Sequence, residues 1–362
     1  MSEPLLESVS VTPPLQGRRA RKRLFFLLAL LLLVTLSLVA AWFLGILRQA
    51  NPRMGKALKP EMVLTHPEVD EASGLVQSRT DPNVLWLHND SGDRPRIFAI
   101  TPQGDMILPP EQANNGMVTT PPPPDSQQRL YPGISVGNAS LVDWEDVAVH
   151  GNRLFLAEMG NNLNQRQNLG VYELEEPDPR KVDAVQAKAF YPIRYPDQTE
   201  FPPTDGWNFD CEAMFWWGGH LYFVSKTRPA FRVYVQGEHA ALYRLDSWHT
   251  DQPNVLTRVD QVDGLGGWVT AADANQEGRF IALLIESPVQ SVWVFERPLQ
   301  GDRFFSAATS VRRLVFHDGG QLESLAFFRR DDGEDDILLL NEQREIFRLP
   351  LDSIPELKGQ RK

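Results

Sequence analysis

The chain has 362 residues, of which 42% are hydrophobic and 10% aromatic, enough to bury a large core. Its net charge is −11, and residues 1–59 contribute +7, so the remainder carries about −18. Such an acidic balance excludes a nucleic-acid-binding function, because phosphate backbones bind basic surfaces. The single cysteine, Cys211, excludes an intramolecular disulfide framework.

The N-terminal region predicts a membrane anchor. A polar tail that ends in a basic cluster, residues 1–23, precedes an uncharged apolar run of 24 residues at 24–47. This run exceeds the roughly 20 residues that cross a bilayer as a helix. The basic cluster favours a cytoplasmic N-terminus and an extracytoplasmic remainder, with the bacterial inner membrane and periplasm as the expected setting. The alternative is a cleaved signal peptide, with Val39-Ala40-Ala41 at the cleavage site.

A linker at 48–60 is expected next, then one folded domain at 61–354 and a short C-terminal tail at 355–362. The domain prediction rests on a repeated unit, which is clearest at 143–174. There, Val147 and Val149 alternate with smaller or polar residues, as in a half-buried strand. Gly151-Asn152 predicts a tight hairpin into a second strand, and a third strand follows after a polar loop.

The unit recurs along the chain. Its third strands share the pattern aliphatic, aromatic, variable, apolar, at 97–100, 171–174, 242–245, 292–295 and 346–349. Such repetition predicts an all-β chain that forms a single β-propeller of five blades, preceded by one transmembrane helix. Six blades are the alternative, if the long stretch 101–132 contains strands. Residues 61–65 are expected to form a strand that completes the last blade and closes the ring.

Acidic residues open the first strands. Glutamate stands there in four units, whereas the remaining unit has Thr270 and an acid three positions later. First strands of a propeller begin at one end of the central channel, where converging carboxylates repel one another unless a proton or cation intervenes. Carboxylate oxygens suit Ca²⁺. The predicted metal ligands are Glu71, Glu145, Asp146, Glu212, Asp273 and Glu323. Alternatively, these acids hydrogen-bond backbone N–H groups of neighbouring blades and hold the ring together.

The loops after the second strands should reach the same end of the channel. They contain polar residues that are predicted to bind a ligand: Asn89, Asp90, Glu158, Asn161, Lys226, Arg228 and Asn341. Lys226 and Arg228 are the basic pair of this set, and they would bind an anionic group or pair with Glu212. The seven histidines are scattered, which argues against a zinc site. No catalytic residue is assigned from the sequence.

Several of these motifs carry a family resemblance. Asp143-Trp-Glu-Asp-Val-Ala together with Ala157-Glu-Met-Gly-Asn-Asn resembles signatures of uncharacterised bacterial propellers, and Glu71-Ala-Ser-Gly-Leu resembles the opening of phytase-like propellers. The likeness covers about residues 60–350. Glu158 and Asn161 stand where those relatives tend to have aspartates. The resemblance implies a propeller and, for phytase-like relatives, calcium-dependent phosphoester chemistry.

The expected function is therefore that of a membrane-anchored, extracytoplasmic binding module. It would hold an envelope ligand or a partner protein, with Ca²⁺ at the acidic channel end. The alternative is a calcium-dependent hydrolase, either a phytase-like phosphoesterase or a lactonase or esterase, with an aspartate or glutamate as the base. The fold alone does not decide between the two, because propellers have unrelated functions.

Overall fold

A computed structural model describes Thr35 and residues 54–232, 234–237 and 239–357. The predicted anchor at 24–47 lies outside these residues, apart from Thr35. No helix within the described residues is long and apolar enough to cross a membrane.

Antiparallel four-stranded units make up most of the described chain. Their first strands are β3 (Ala72–Gln77), β9 (Trp144–His150), β13 (Trp207–Trp217), β18 (Gly267–Ala274) and β22 (Leu322–Arg329). The second strands are β4 (Leu85–Asn89), β10 (Arg153–Glu158), β14 (His220–Arg228), β19 (Phe280–Pro288) and β23 (Asp335–Asn341). The third strands are β5 (Arg96–Ile100), β11 (Gly170–Glu175), β15 (His239–Arg244), β20 (Ser291–Glu296) and β24 (Glu345–Pro350). The aromatic pattern located all of these third strands to within three residues.

The outermost strand comes from two parts of the chain. In four units it follows the third strand, as β8 (Ile134–Gly137), β12 (Ala184–Arg194), β17 (Thr257–Asp263) and β21 (Val311–His317). In the last unit it is β2 (Met62–Val63), which pairs antiparallel with β24. The prediction that residues 61–65 join the two ends of the folded domain is thus confirmed.

Further strand pairings and short elements add to the four-stranded units. The parallel pairing of β8 with β12 joins two units into one continuous sheet, and β16 (Asn254–Val255) adds to the edge of β12. Residues 101–132, expected to be a loop, contain the helix α1 (Pro110–Asn114) and the strands β6 (Met117–Val118) and β7 (Arg129–Leu130). Because β6 and β7 pair only with each other among the described strands, they add no further four-stranded unit.

Both ends of the domain are more ordered than the sequence indicated. β1 (Lys56–Ala57), within the expected linker, pairs parallel with β21. Beyond a 3-10 turn at Leu351–Ser353, the backbone of Pro355 accepts a hydrogen bond from Arg313, and Leu357 donates one to Val311. Both segments cover the exposed edge of β21, which would otherwise leave backbone groups unpaired. The sequences of these two segments are too short and too polar to predict a strand.

Apolar clusters fill the space between consecutive units. Trp86 packs with Trp144 between the first and second units, and Phe155 with Phe223 between the second and third. Equivalent clusters join the third unit to the fourth, the fourth to the fifth and the fifth back to the first, where Leu75 lies in the same cluster as Leu338. The first strands therefore follow one another around a central axis, as in a β-propeller.

A β-bulge interrupts every first strand near its beginning. Two residues there stand opposite one residue of the second strand, which breaks the side-chain alternation. The bulges place the following residues at equivalent positions: Ser73, Glu145, Glu212, Thr270 and Glu323. The register expected for the first unit is thus wrong by two residues, since Glu71 aligns with Asp143 and Asp210. Sequence spacing alone did not reveal this shift.

Candidate functional site

A cavity of about 540 Å³ opens where the first strands begin and the second strands end. This end of the central axis is called the channel mouth below. The cavity is lined by Asp90, Glu145, Asn162, Leu163, Glu212, Lys226, Arg228, Tyr234, Trp268, Gln321 and Glu323. Its position follows from the fold. In each unit the first and second strands form a hairpin, and the open end of that hairpin lies at the channel mouth.

Three carboxylates of the first two units converge at the mouth. Oxygen atoms of Asp90, Asp143 and Glu145 lie within 4.8 Å of one another. Asp143 directly precedes β9, Glu145 is the second residue of that strand, and Asp90 follows the last residue of β4. Within the described residues, none of the three forms an ion pair with a lysine or arginine. We refer to them as the carboxylate trio.

The trio binds protons more tightly than ordinary carboxylates do. Burial, followed by repulsion from Asp143, raises the pKa of Asp90 to about 7. Burial and the nearby Asp210 raise the pKa of Asp143 to about 6. Burial and repulsion from Glu212 raise the pKa of Glu145 well above its usual value. A cation that binds the trio would therefore compete with protons near neutral pH.

Gly160 makes room for two members of the trio. A Cβ atom added to this buried glycine would overlap with Oε1 of Glu145 and with the carboxyl group of Asp143. Every other amino acid would displace these carboxylates or the backbone beside them. The glycine therefore keeps the space in which the acidic oxygens meet.

A second group of acids lies beside the trio, and each of its members beyond Glu145 is ion-paired with a basic residue. Oxygens of Asp210 and Glu212 approach Glu145 within the same 4.8 Å limit. Asp210, however, forms an ion pair with Arg228 at 2.5 Å, and Glu212 pairs with Lys226. Buried cations that hold these carboxylates leave less negative charge for a metal ion.

The carboxylate trio fits a calcium ion in donor type and spacing. Ca²⁺ binds oxygen ligands at about 2.3–2.6 Å, so two ligands of one ion lie at most about 5 Å apart. The 4.8 Å limit within the trio meets that condition. Backbone carbonyl groups, water or a bound ligand would supply the remaining ligands that Ca²⁺ needs.

Asp146 and Asp273 were both predicted to bind a metal ion, but their carboxyl groups accept hydrogen bonds from backbone N–H groups of other units. Asp146 is fully buried, and its Oδ2 accepts N–H hydrogen bonds from Met214 at 2.8 Å and Ala272 at 3.3 Å. Asp273 Oδ2 accepts one from Phe327 at 2.9 Å. These acids link neighbouring units, as the scaffold alternative expects.

The other predicted metal ligands differ in how close they lie to the converging oxygens. Glu145 and Glu212 belong to the groups of converging oxygens. Glu323 lines the cavity, and burial and repulsion from Glu212 raise its pKa to about 9. Glu71 is exposed, although its charge still acts on Asp90. The smaller bulge residues link units, since Ser73 donates to the Glu145 carbonyl at 2.5 Å and Thr270 to that of Leu322 at 2.9 Å.

Three of the seven predicted ligand-binding residues, Asp90, Lys226 and Arg228, line the cavity. The other four make internal hydrogen bonds. Asn89 donates to the Glu68 carbonyl, Asn161 to that of Phe209 and Asn341 to that of Gly319. Glu158 accepts N–H groups of Val142 and Asp143 and pairs with Arg166.

Several residues of the mouth were not included in the predicted sites. Asp143 belongs to the trio, and its position two residues before Glu145 was the available signal, because such residues share a face of a strand. Glu286 adds a carboxyl group whose pKa is raised to about 7, mainly by burial. The ring of Trp268 contacts both basic residues of the mouth. Its centroid lies 5.3 Å from Nζ of Lys226 and 5.3 Å from Cζ of Arg228. No simple pattern linked Trp268 to this site.

Comparisons with known proteins assign no family. No family model matches the chain. No curated protein matches it either. Solved structures with a similar strand arrangement include a mitotic checkpoint complex, with 9% identity and a TM-score of 0.38 over 81% of this chain and 95% of the other.

Two bacterial structures are similar to the same extent. A gluconolactonase from Xanthomonas campestris has 10% identity and a TM-score of 0.38, covering 84% of this chain and 98% of its own. A protein from Lactobacillus plantarum has 10% identity and a TM-score of 0.39, covering 79% of this chain and 83% of its own. At these TM-scores the propeller assignment rests on the strand pairing and inter-unit packing, and the site on its own geometry.

Proposed function

We propose that the channel mouth binds Ca²⁺ through Asp90, Asp143 and Glu145, and that the ion and the neighbouring cations hold an anionic ligand. The observation that carries this proposal is the convergence of three carboxylates without a lysine or arginine ion pair among the described residues. A cation there would offset the burial and the mutual repulsion that together raise their pKa values. Lys226 and Arg228 line the same cavity and would contact the anionic part of the ligand.

Binding without turnover is the preferred form of this proposal. Within the described part of the mouth, no serine, cysteine or histidine lines the cavity as a nucleophile or base. A calcium-dependent hydrolase is the second candidate, favoured by Glu286. Its pKa of about 7 suits a group that exchanges protons near neutral pH. Release of product from a phosphoester or a lactone, abolished by Glu286→Gln, would select the enzyme.

Calcium should stabilise the folded protein, because an ion that binds only the folded state raises its stability by mass action. At a hundredfold excess over the dissociation constant, the gain is about 2.7 kcal/mol. We expect Glu145→Gln to remove most of this gain and to remain folded without calcium. Thermal melting of the full-length protein with calcium and with a chelator provides the measurement.

Glu286→Gln is the matched control, since it changes a partly buried mouth carboxyl group outside the trio. This variant should keep the calcium response. A parent protein whose melting temperature is the same with calcium and with chelator would contradict the proposal. Equal calcium responses in the parent and in Glu145→Gln would also contradict it.

We further propose that the domain is a five-bladed propeller held outside the cytoplasm by a helix at 24–47. Five blades are supported by five four-stranded units and by the strand β2, which joins the chain ends. The anchor is supported by the uncharged run and its preceding basic cluster. In a bacterial host, alkaline phosphatase fused after Lys362 should be active, whereas a cytoplasm-dependent reporter at that position should be inactive. The reverse pattern would refute this orientation.

A further inference from the structure

A second cavity, of about 530 Å³, lies at the opposite end of the same inner strands. It is bordered by the turns between first and second strands, so it is separated from the channel mouth by the length of the inner strands. The residues that matter for its chemistry are Arg79, His150, Trp216, Trp217, Glu277 and Arg297. We call this cavity the hairpin cleft.

Two arginines give the hairpin cleft positive charge. Arg79 donates to the backbone carbonyl of Ala274 at 3.2 Å, and neither Arg79 nor Arg297 forms an ion pair with a described carboxylate. Most other arginines of the described chain do form such pairs. The acid on the cleft wall, Glu277, is engaged by Arg329 at 2.8 Å. Asp273 lies near Arg79 but is buried and accepts backbone N–H groups.

Aromatic side chains give the same cleft a rigid apolar wall. Trp216 stacks on His150 with ring centroids 4.4 Å apart, and on Phe155 at 5.3 Å. Trp217 is fixed by a hydrogen bond from its indole N–H to the Gly278 carbonyl at 2.8 Å. Both tryptophans are only partly buried. Such preorganised surfaces bind apolar groups at a low cost in side-chain entropy.

We propose that the hairpin cleft binds a small organic phosphate, whose phosphate group contacts Arg79 and Arg297 and whose apolar or ring-shaped body packs against Trp216 and Trp217. Guanidinium groups suit phosphate because they present several N–H donors in a fixed plane. The glycine-rich turn after Trp217 borders open space, since a Cβ atom added at Gly218 or Gly219 would meet no atom within 4 Å. This site is separate from the calcium site.

Phenyl phosphate is a suitable probe, because it combines a phosphate with an aromatic ring. Titration calorimetry on the full-length protein, in the presence of a chelator, should show saturable binding. Inorganic phosphate and phenol, which each carry one half of the probe, should bind more weakly. Arg79→Gln and Arg297→Gln should each weaken phenyl phosphate binding by about tenfold, which corresponds to the lower end of the strength of a hydrogen bond to a charged group.

Arg303→Gln is the matched control, because Arg303 is exposed and lies outside the cleft lining. It should leave the affinity unchanged, as should Glu145→Gln at the channel mouth. Arg297 makes no side-chain hydrogen bond to another described residue, so its replacement should not impair folding. Absence of saturable binding to the parent overturns the proposal, as does equal affinity in the parent, Arg79→Gln and Arg297→Gln. Neither result bears on calcium binding, which is measured separately.

Discussion

Neighbouring acids in the second unit have different roles. Glu145 and Asp146 both occupy the bulge of β9, where the regular alternation of side chains is broken. Glu145 joins the carboxylate trio, whereas Asp146 accepts N–H groups from the third and fourth units. Asp146 thus has the environment expected of a scaffold residue, whereas metal binding remains the proposal for Glu145, its neighbour in the same motif.

Asp146→Asn tests the scaffold role. The carboxyl group of Asp146 accepts three backbone N–H groups, from Val147, Met214 and Ala272. An asparagine has one acceptor oxygen, and its NH₂ group would face at least one of these donors. Leaving a buried donor unsatisfied costs about 1–3 kcal/mol. We expect a loss of that size in the free energy of unfolding, measured by urea denaturation with chelator present.

Glu145→Gln is the appropriate comparison, because it makes the same chemical change one residue away. Its side chain accepts no backbone N–H group from another unit among the described hydrogen bonds, so its stability with chelator should be close to that of the parent. If Asp146→Asn unfolds at the same urea concentration as Glu145→Gln, the inter-unit hydrogen bonds of Asp146 do not stabilise the ring.

Local patterns were sufficient to locate most strands. The third strands combine an aromatic residue with aliphatic neighbours, and Gly151-Asn152 marks a hairpin through its backbone preferences. The aromatic residues of this pattern, such as Phe98 and Tyr172, are buried at the core clusters. By contrast, β1 and residues 355–357 are ordered by pairing with β21, a contact that joins distant parts of the chain.

The candidate site was only partly predictable for the same reason. Glu145 and Glu212 stand out in the sequence because they repeat at equivalent positions. Asp90 comes from another unit, and its approach to Asp143 depends on how two inner hairpins pack. The bulges also shift which residue faces the channel, so Ser73, and not Glu71, occupies the repeated position. Gly160 matters only through the carboxylates that it admits.

The ring as a whole combines strong packing with an electrostatic cost at one end. Apolar clusters join every pair of consecutive units, and each buried large side chain contributes about 1.5–3 kcal/mol through removal from water. The same packing brings the starts of all first strands together and concentrates their carboxyl groups. Stability in the core thus permits an unfavourable arrangement of charges at the mouth.

This arrangement predicts that the calcium-free protein becomes less stable as pH rises. Burial raises the pKa of Glu286 to about 7 and that of Glu323 to about 9, above the value of about 4.3 for an unfolded glutamate. Groups of this kind bind protons more tightly in the folded state. The stabilisation that these two groups give to the folded state is therefore complete below about pH 4. It is lost as pH rises through the folded pKa values.

Glu323→Gln tests the loss of stability between about pH 7 and pH 9, because glutamine stays uncharged at every pH. In urea denaturation with chelator, the parent should lose stability between about pH 7 and pH 9, and Glu323→Gln should lose less. The variant should match the parent near pH 4 and exceed it by a growing margin up to about pH 9. Glu111→Gln, at an exposed position of α1, should follow the parent throughout. A parent curve that is flat over this range, or a Glu323→Gln curve parallel to it, would show that Glu323 is not held protonated by its burial at the mouth.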